Sequence, residues 1–297
     1  MTRPDQAACP LLHVPDVSEV RTVTPPTEDA GTQYPTSQVE LPAAPPTADN
    51  GGPAAPLTTD AATQSVKSLG ELPAWLSALN IPAGMSFSAS ANFIFPAVLP
   101  TDAVKQLDTL DGIAGMIAAC RACALGYTAL NPVPGEGNPN ADVVCVGEAP
   151  GQTEDETGRP FVGASGQLLT KILGAIQLQR EDVFICNVVK HRPPGNRNPL
   201  PDEVRACAPY LRRQLELVKP KVIIALGTSA AQALLNTSIP MGKLRGQLHR
   251  YEGIPVIVTY HPSALLRNEN WKRPAWDDVR LARRILDAAR AALPPTH

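Results

Sequence analysis

No stretch of this 297-residue chain offers the roughly 18 consecutive apolar residues that a membrane-spanning helix needs. Its first residues, "MTRPDQAACPLLHVPD", also lack the charged-then-apolar pattern of a secretory leader. These two absences exclude a membrane partner and set the expectation of a soluble, cytoplasmic protein. Large excess charge is missing too, the formal net being -2. In a reducing compartment thiols stay reduced, so the six cysteines point to metal binding or chemistry before disulfides.

The first hundred residues are short of both charge and core-forming side chains. They hold fifteen of the 32 prolines, in stretches such as "TPPTEDAGTQYPTSQVELPAAPPTADNGGPAAP". Such a composition buries too little apolar surface to offset the entropy of ordering a chain, so residues 1–105 are expected to be disordered. One island, "LGELPAWLSALNIPAG" (69–84), has the makings of a short helix over 69–80, kept short by Pro73 and Pro82. It is a candidate docking helix for a protein partner. Residues 1–105 carry 4 Lys/Arg against 10 Asp/Glu, a net of -6, and residues 106–297 carry 22 against 18, a net of +4. The near-neutral total therefore conceals a mildly basic domain of about 190 residues, a size typical of one domain. Mild basicity suits an anionic partner without identifying it.

Within residues 106–297, short β-branched runs alternate with helical patterns. "ADVVCVG" (141–147), "DVFICNVV" (182–189), "KVIIALG" (221–227) and "IPVIVTYHP" (254–262) read as strands. Between and after them lie helical patterns at 165–176, 201–218, from 228 and at 277–293, the second opening with Pro and acids. The alternation predicts an α/β fold, a four-stranded parallel sheet with helices on both faces. Ligands in such sheets bind beyond the carboxyl ends of the strands. Those ends carry Gly147, Glu148, Asn187, Thr228 and His261.

The cysteines fall into two groups. Cys145 and Cys186 sit inside strand runs and read as buried, inert thiols. Cys120 and Cys123 form "CRAC", and Cys207 follows His191 by sixteen positions. Together these four side chains form a candidate metal site. Zinc suits three Cys and one His, and a [4Fe–4S] cluster takes four thiolates with His able to replace one. Spacing does not choose between them.

Taken together, "CRAC", "GEAPGQTEDETGRPFVGASGQLL" (147–169), "ICNVVKHRPPGNRNP" (185–199) and "HPSALLR" (261–267) resemble the family 4, iron–sulfur uracil-DNA glycosylases. The match runs in order over about residues 115–290 and leaves the N-terminal hundred outside. The resemblance implies a monomer, associated with the nucleoid, that hydrolyses the N-glycosidic bond of uracil in DNA. Uracil is flipped out of the stack and read by its Watson–Crick edge. Phe161 then corresponds to the ring that stacks on the base. Asn187 pairs with O4 and N3–H, a polarity cytosine reverses. His261 donates to O2 of the departing anion. The backbone amides of Gly147, Gly151 and Gly163 approach the base or a phosphate, and Ala149, also expected at the substrate, stands where better-studied relatives use a water-orienting Asp. Glu148 and Glu154 are the nearby carboxylates, and Glu154 is expected beside the uracil ring, excluding the thymine methyl. Ser165, Thr228, Ser229 and Ser263 are expected at phosphates. Leu265 or Leu266 fills the gap left by the base, Leu265 being preferred, and Arg267 holds a phosphate.

The family reads K-C-R-P-P where this chain has "KHRPP". The resemblance thus implies a [4Fe–4S] cluster, zinc being the lesser alternative, on Cys120, Cys123, Cys207 and His191. Another branch of the superfamily uses a loop histidine to bond the uracil-freed sugar covalently. Its basic insert is missing from "RPPGNRNP", so turnover is expected rather than capture. A zinc protein of this fold, a metal-free catalyst in which "CRAC" holds nothing, and a non-catalytic, polymerase-associated adaptor are the remaining alternatives.

Overall fold

A computed structural model describes residues 73–87 and 101–292. Seven strands form one sheet: β1 (Ala83–Phe87), β2 (Glu136–Gly137), β3 (Val143–Gly147), β4 (Phe184–Asn187), β5 (Val222–Leu226), β6 (Leu248–Tyr251) and β7 (Ile254–Thr259), in the order β1-β6-β7-β5-β3-β4-β2. The four strands read from the sequence are β3, β4, β5 and β7. They lie side by side and parallel at the centre. The expectation of a four-stranded, all-parallel sheet is corrected at the edges. β2 runs antiparallel to β4, and β6 runs antiparallel to β7.

The missed strands share a physical reason. β2 is two residues long, and β6, "LHRY", sets His249 and Arg250 between Leu248 and Tyr251 instead of forming an apolar run. β6 is joined to β7 by Glu252 and Gly253, both at positive φ (48° and 83°), which is the geometry of a two-residue hairpin turn. β1 pairs in parallel with β6, and its Met85 N–H donates to Nδ1 of the buried His249 at 2.8 Å. A backbone amide can only donate, so this imidazole is neutral at Nδ1, and burial holds its pKa below the ordinary value.

Residues 73–87 were expected in the disordered region, and they instead belong to the sheet and its cover. The helix foreseen over 69–80 spans Ala74–Ser77. Its Leu76 is buried in the cluster that contains Val279, Ile285 and Leu286 of the helix Lys272–Ala292, and Arg284 reaches the carbonyl of Leu79. The docking helix is therefore occupied by its own domain, not free for a partner. An amphipathic pattern announces that a face is buried, not against what. The disorder expected for residues 1–72 lies outside the described residues.

Alternation along the strands divides the core between two layers. Val144 and Val146 of β3 face Leu211, Leu215 and Val218 of the helix Pro201–Val218 and Ala231 and Leu234 of the helix Thr228–Leu235. Val143 and Cys145 face Leu169 and Leu173 of the helix Ala164–Ala175 and the helix Lys272–Ala292. Cys145 and Cys186 are fully enclosed, and burial pushes the Cys145 thiol up to about 12, so both are inert packing groups. With both faces covered, the strand ends that point out of the sandwich are the place where polar chemistry can gather.

Candidate functional site

The carboxyl ends of β3, β4, β5 and β7 open into one cleft of about 730 Å³. Glu148, Ala149, Gly151, Glu154, Phe161, Ser165, Asn187, Thr228, His261, Ser263 and Arg267 all line it. Gly147 lies against Phe161 and Asn187 of this lining, while neither Leu265 nor Leu266 is part of it.

Asn187 ends β4 directly opposite Gly147 of β3. Its side chain is 1% exposed, and neither Oδ1 nor Nδ2 has a hydrogen-bond partner in the structure. An unmade hydrogen bond at a buried polar atom costs about 1–3 kcal/mol. A carboxamide held in this way, with donor and acceptor side by side, is a site waiting for a planar ligand with the complementary pair.

Phe161 supplies the apolar wall. It sits at φ 51°, a left-handed conformation that a bulky residue adopts only under constraint. Arg180 provides that constraint: Nη1 donates to the Phe161 carbonyl at 2.9 Å, Nη2 donates to that of Pro160, and Nε is held by Glu136 at 3.1 Å. The two bonds from Arg159 and the one from Arg180 keep the Glu136 carboxyl below its usual range against the pull of burial. Gly147 leaves room for the ring. A Cβ there would lie 2.5 Å from Asn187 Oδ1 and closer still to the Phe161 ring.

The Phe161 ring stands 5.5 Å from the His261 ring, tilted by 36°. The backbone N–H of Ser263 donates to His261 Nδ1 at 3.2 Å, and Ser263 Oγ lies 2.8 Å from the same nitrogen. Nδ1 is thus an acceptor, which leaves the ring proton on Nε2. Burial, helped by Arg267 and opposed by Glu154, lowers the His261 pKa to about 4. The site presents a neutral N–H donor. Gly227, at φ 91°, lets the chain turn from β5 beside it, with a Cβ excluded at 3.0 Å from that of His261.

Glu154 plays a part that the sequence did not disclose. Its Oε1 accepts from the amides of Val162 and Gly163, both at 2.9 Å, and Oε2 accepts from that of Gly151 at 3.1 Å. The carboxylate therefore ties the β3 loop to the Phe161 loop. Glu148 is held by the Ser229 hydroxyl. Leu265 is 2% exposed, packed inside, whereas Leu266 is 50% exposed. The preference for Leu265 is corrected: one residue turns a helical side chain by about 100°. Ser229, expected at a phosphate, holds Glu148 instead, and Arg180, Tyr260 and Trp271 went unread in the sequence. The last two escaped because stacking leaves no periodic trace.

The expected metal ligands lie apart from the cleft. Among the described residues, no three His, Cys, Asp or Glu side chains are placed to hold a metal ion together. Cys120, Cys123 and Cys207 are nonetheless within electrostatic reach of one another. Burial pushes Cys207 up to about 12, and charge on Cys123 and Cys120 adds to the rise. Cys123 is raised by burial and by Cys120. Burial and the Arg121 charge lower the His191 pKa against Asp155, favouring the neutral imidazole that coordinates metals. The chemistry of this donor set fits a soft, thiolate-binding centre.

Comparison with known proteins agrees with the cleft. Residues 134–280 match the model of the uracil DNA glycosylase superfamily. The chain is 48% identical over 168 residues to a type-4 uracil-DNA glycosylase of Archaeoglobus fulgidus, covering 54% of this chain and 84% of that protein. The chain belongs to this family. Its likeness to a type-4 enzyme of Thermotoga maritima is 42% over 183 residues, 60% of this chain and 95% of the other. To a type-5 uracil-DNA glycosylase of Pyrobaculum aerophilum it is 38% over 151 residues, 45% of this chain and 66% of the other. The family 4 resemblance read from the four motifs therefore holds. Among the described residues no helix is long and apolar enough to cross a membrane.

Proposed function

We propose that this chain removes uracil from DNA by hydrolysing its N-glycosidic bond and leaves an abasic site for repair. The observation that carries the reading is the buried, unpartnered carboxamide of Asn187 beside the Phe161 ring. Uracil offers O4 as acceptor and N3–H as donor on one edge, matching Nδ2 and Oδ1 of Asn187. Its flat face suits Phe161, and flipping brings it out of the duplex into the cleft.

Water adds to C1′ as the C1′–N1 bond breaks, and the electron pair leaves with uracil, whose charge spreads to O2. The Nε2–H of His261 stabilises that charge from a fixed, largely dehydrated position. Because the sugar develops oxocarbenium character, little general-base assistance is needed, and Ala149 in the usual Asp position is compatible with turnover. Glu148 is the carboxylate available near the attacking water, oriented by Ser229. Glu154 holds the two loops together and so sets the width of the base pocket. Ser165, Thr228, Ser263 and Arg267 meet phosphates, and Leu266 fills the vacated stack. The chain works as a monomer on DNA in the cytoplasm, at the nucleoid, and its Pro-rich N-terminal region recruits a protein partner.

Cys120, Cys123, Cys207 and His191 hold a [4Fe–4S] cluster whose contribution is structural, pinning the segment from Cys120 and the loop from His191 to the helix Pro201–Val218. Metal analysis of the purified full chain is expected to find about four irons. Cys207→Ser is expected to lose them and to lower Tm. Zinc at one per chain would contradict the assignment.

Two further results are expected. Arg180→Met frees the Phe161 carbonyl and lowers kcat/KM for excision by about tenfold to a hundredfold, as misplacement of a positioning group does. Gly147→Ala drives a methyl into Phe161 and Asn187 and abolishes excision while the sheet stays folded. Kinetics on a labelled oligonucleotide, with circular dichroism as the fold control, check both. The function itself is tested by excision from oligonucleotides carrying uracil, cytosine or thymine at one position. Release confined to uracil is expected.

A further inference from the structure

Two stacked rings line the cleft with a guanidinium against one of them, and the reading of the base pocket uses none of the three. The Trp271 and Tyr260 rings stack with centroids 4.9 Å apart and planes 8° from parallel. The Arg245 guanidinium lies 4.4 Å from the Tyr260 ring. Arg245 is itself fixed, by Asp278 at 2.7 Å and the Pro274 carbonyl at 2.6 Å. The stack is therefore anchored from below by an ion pair whose carboxylate is 4% exposed. At its outer end Trp271 remains 38% exposed, and both rings line the same cleft as Asn187, Phe161 and His261.

A rigid indole with one face covered and part of its surface open to a polar cleft is costly to leave wet. It also has the shape and electronics of a platform for a second flat ring. When a nucleotide is flipped into the pocket, its neighbour on the same strand must pass the cleft mouth. Leu266 and Arg267 stand shortly before Trp271 in the chain, both exposed, and Arg267 lines the cleft. Arg267 can hold the phosphate between the two nucleotides while the neighbouring base leaves its own stack.

We propose that Trp271, backed by Tyr260 and Arg245, is a stacking subsite for the base next to the flipped uracil. It makes an unpaired neighbour part of what the protein recognises. Base–aromatic stacking tolerates any base, because each has a π-face. The subsite therefore favours single-stranded or locally opened DNA over a particular sequence. This inference rests on the glycosylase reading of the cleft.

The test is binding of single-stranded oligonucleotides carrying one uncleavable 2′-fluorinated deoxyuridine, followed by fluorescence anisotropy. The nucleotide on either side is a normal base or an abasic spacer. Trp271→Ala is expected to weaken binding about tenfold. The loss is expected to disappear when the spacer replaces the base on one particular side. Trp271→Phe is expected to keep most of the affinity, and an unchanged Tm for either variant reports an intact fold. A tenfold loss that persists with spacers on both sides, or no loss in Trp271→Ala, would overturn the proposal. The glycosylase reading fails separately, if the wild type binds the uracil analogue no better than its thymine counterpart. The neighbour dependence of Trp271 is still read in that case.

Discussion

Asn187→Leu is expected to reduce kcat/KM for uracil excision about a thousandfold without lowering Tm. Both polar atoms of the carboxamide are buried and unpartnered in the free protein, so the fold bears their desolvation with no hydrogen bond in return. Leucine has similar size and removes that cost, and the variant should be as stable as the wild type or more so. Activity goes the other way. The variant presents a hydrocarbon to O4 and N3–H of a dehydrated uracil, losing two hydrogen bonds at about 1–3 kcal/mol each. At about 1.4 kcal/mol per factor of ten, a thousandfold loss follows. Opposite signs for stability and activity mark a residue kept for its ligand. Kinetics and thermal denaturation on the same preparation measure both. A variant that loses stability and activity together would make Asn187 a structural residue.

His261→Ala is expected to lower kcat by about a hundredfold to a thousandfold, the range for one donor at a developing oxyanion. The histidine acts neutral, so the kcat profile should show no inflection from this group between about pH 5.5 and 8. Its pKa of about 4 in the fold lies below the ordinary 6.5. The unfolded chain therefore binds the proton first as pH falls. The stability contributed by this neutral histidine is complete above the unfolded value and is lost as pH drops from 6.5 towards 4. Relative to His261→Asn, the Tm of the wild type should fall between pH 7 and pH 5. A wild-type advantage that grows on acidification would mean that the folded protein holds His261 charged.

The centre of this fold was legible because burial on both faces writes itself as uninterrupted apolar runs. "VVCVG", "VIIAL" and "VIVT" could hardly be anything but central strands. The edges were not. β2 is two residues long, β1 and β6 break their apolar residues with Gly, Ser, His and Arg, and β1 gains its place from pairing with a strand far away in sequence. The site divides in the same manner. Asn187, Phe161 and His261 stand at strand ends and loops in recognisable motifs, and the structure gathers them in one cleft. Leu265 and Leu266 differ only in helical phase, which decides which of them meets solvent. Glu154 could be read as a carboxylate near the base but not as a clasp on three amides. That role depends on how two loops approach each other. Trp271 was invisible as a functional residue because its meaning lies in Tyr260 beneath it.

The central claim is that the cleft takes uracil and releases it. Its most direct test quantifies free uracil and abasic DNA from an oligonucleotide with a single uracil, beside identical strands carrying thymine or cytosine. The account predicts one uracil and one abasic site per strand, over many turnovers, with thymine and cytosine untouched. Intact uracil strands, or protein that stays covalently joined to the DNA after a single event, would contradict it.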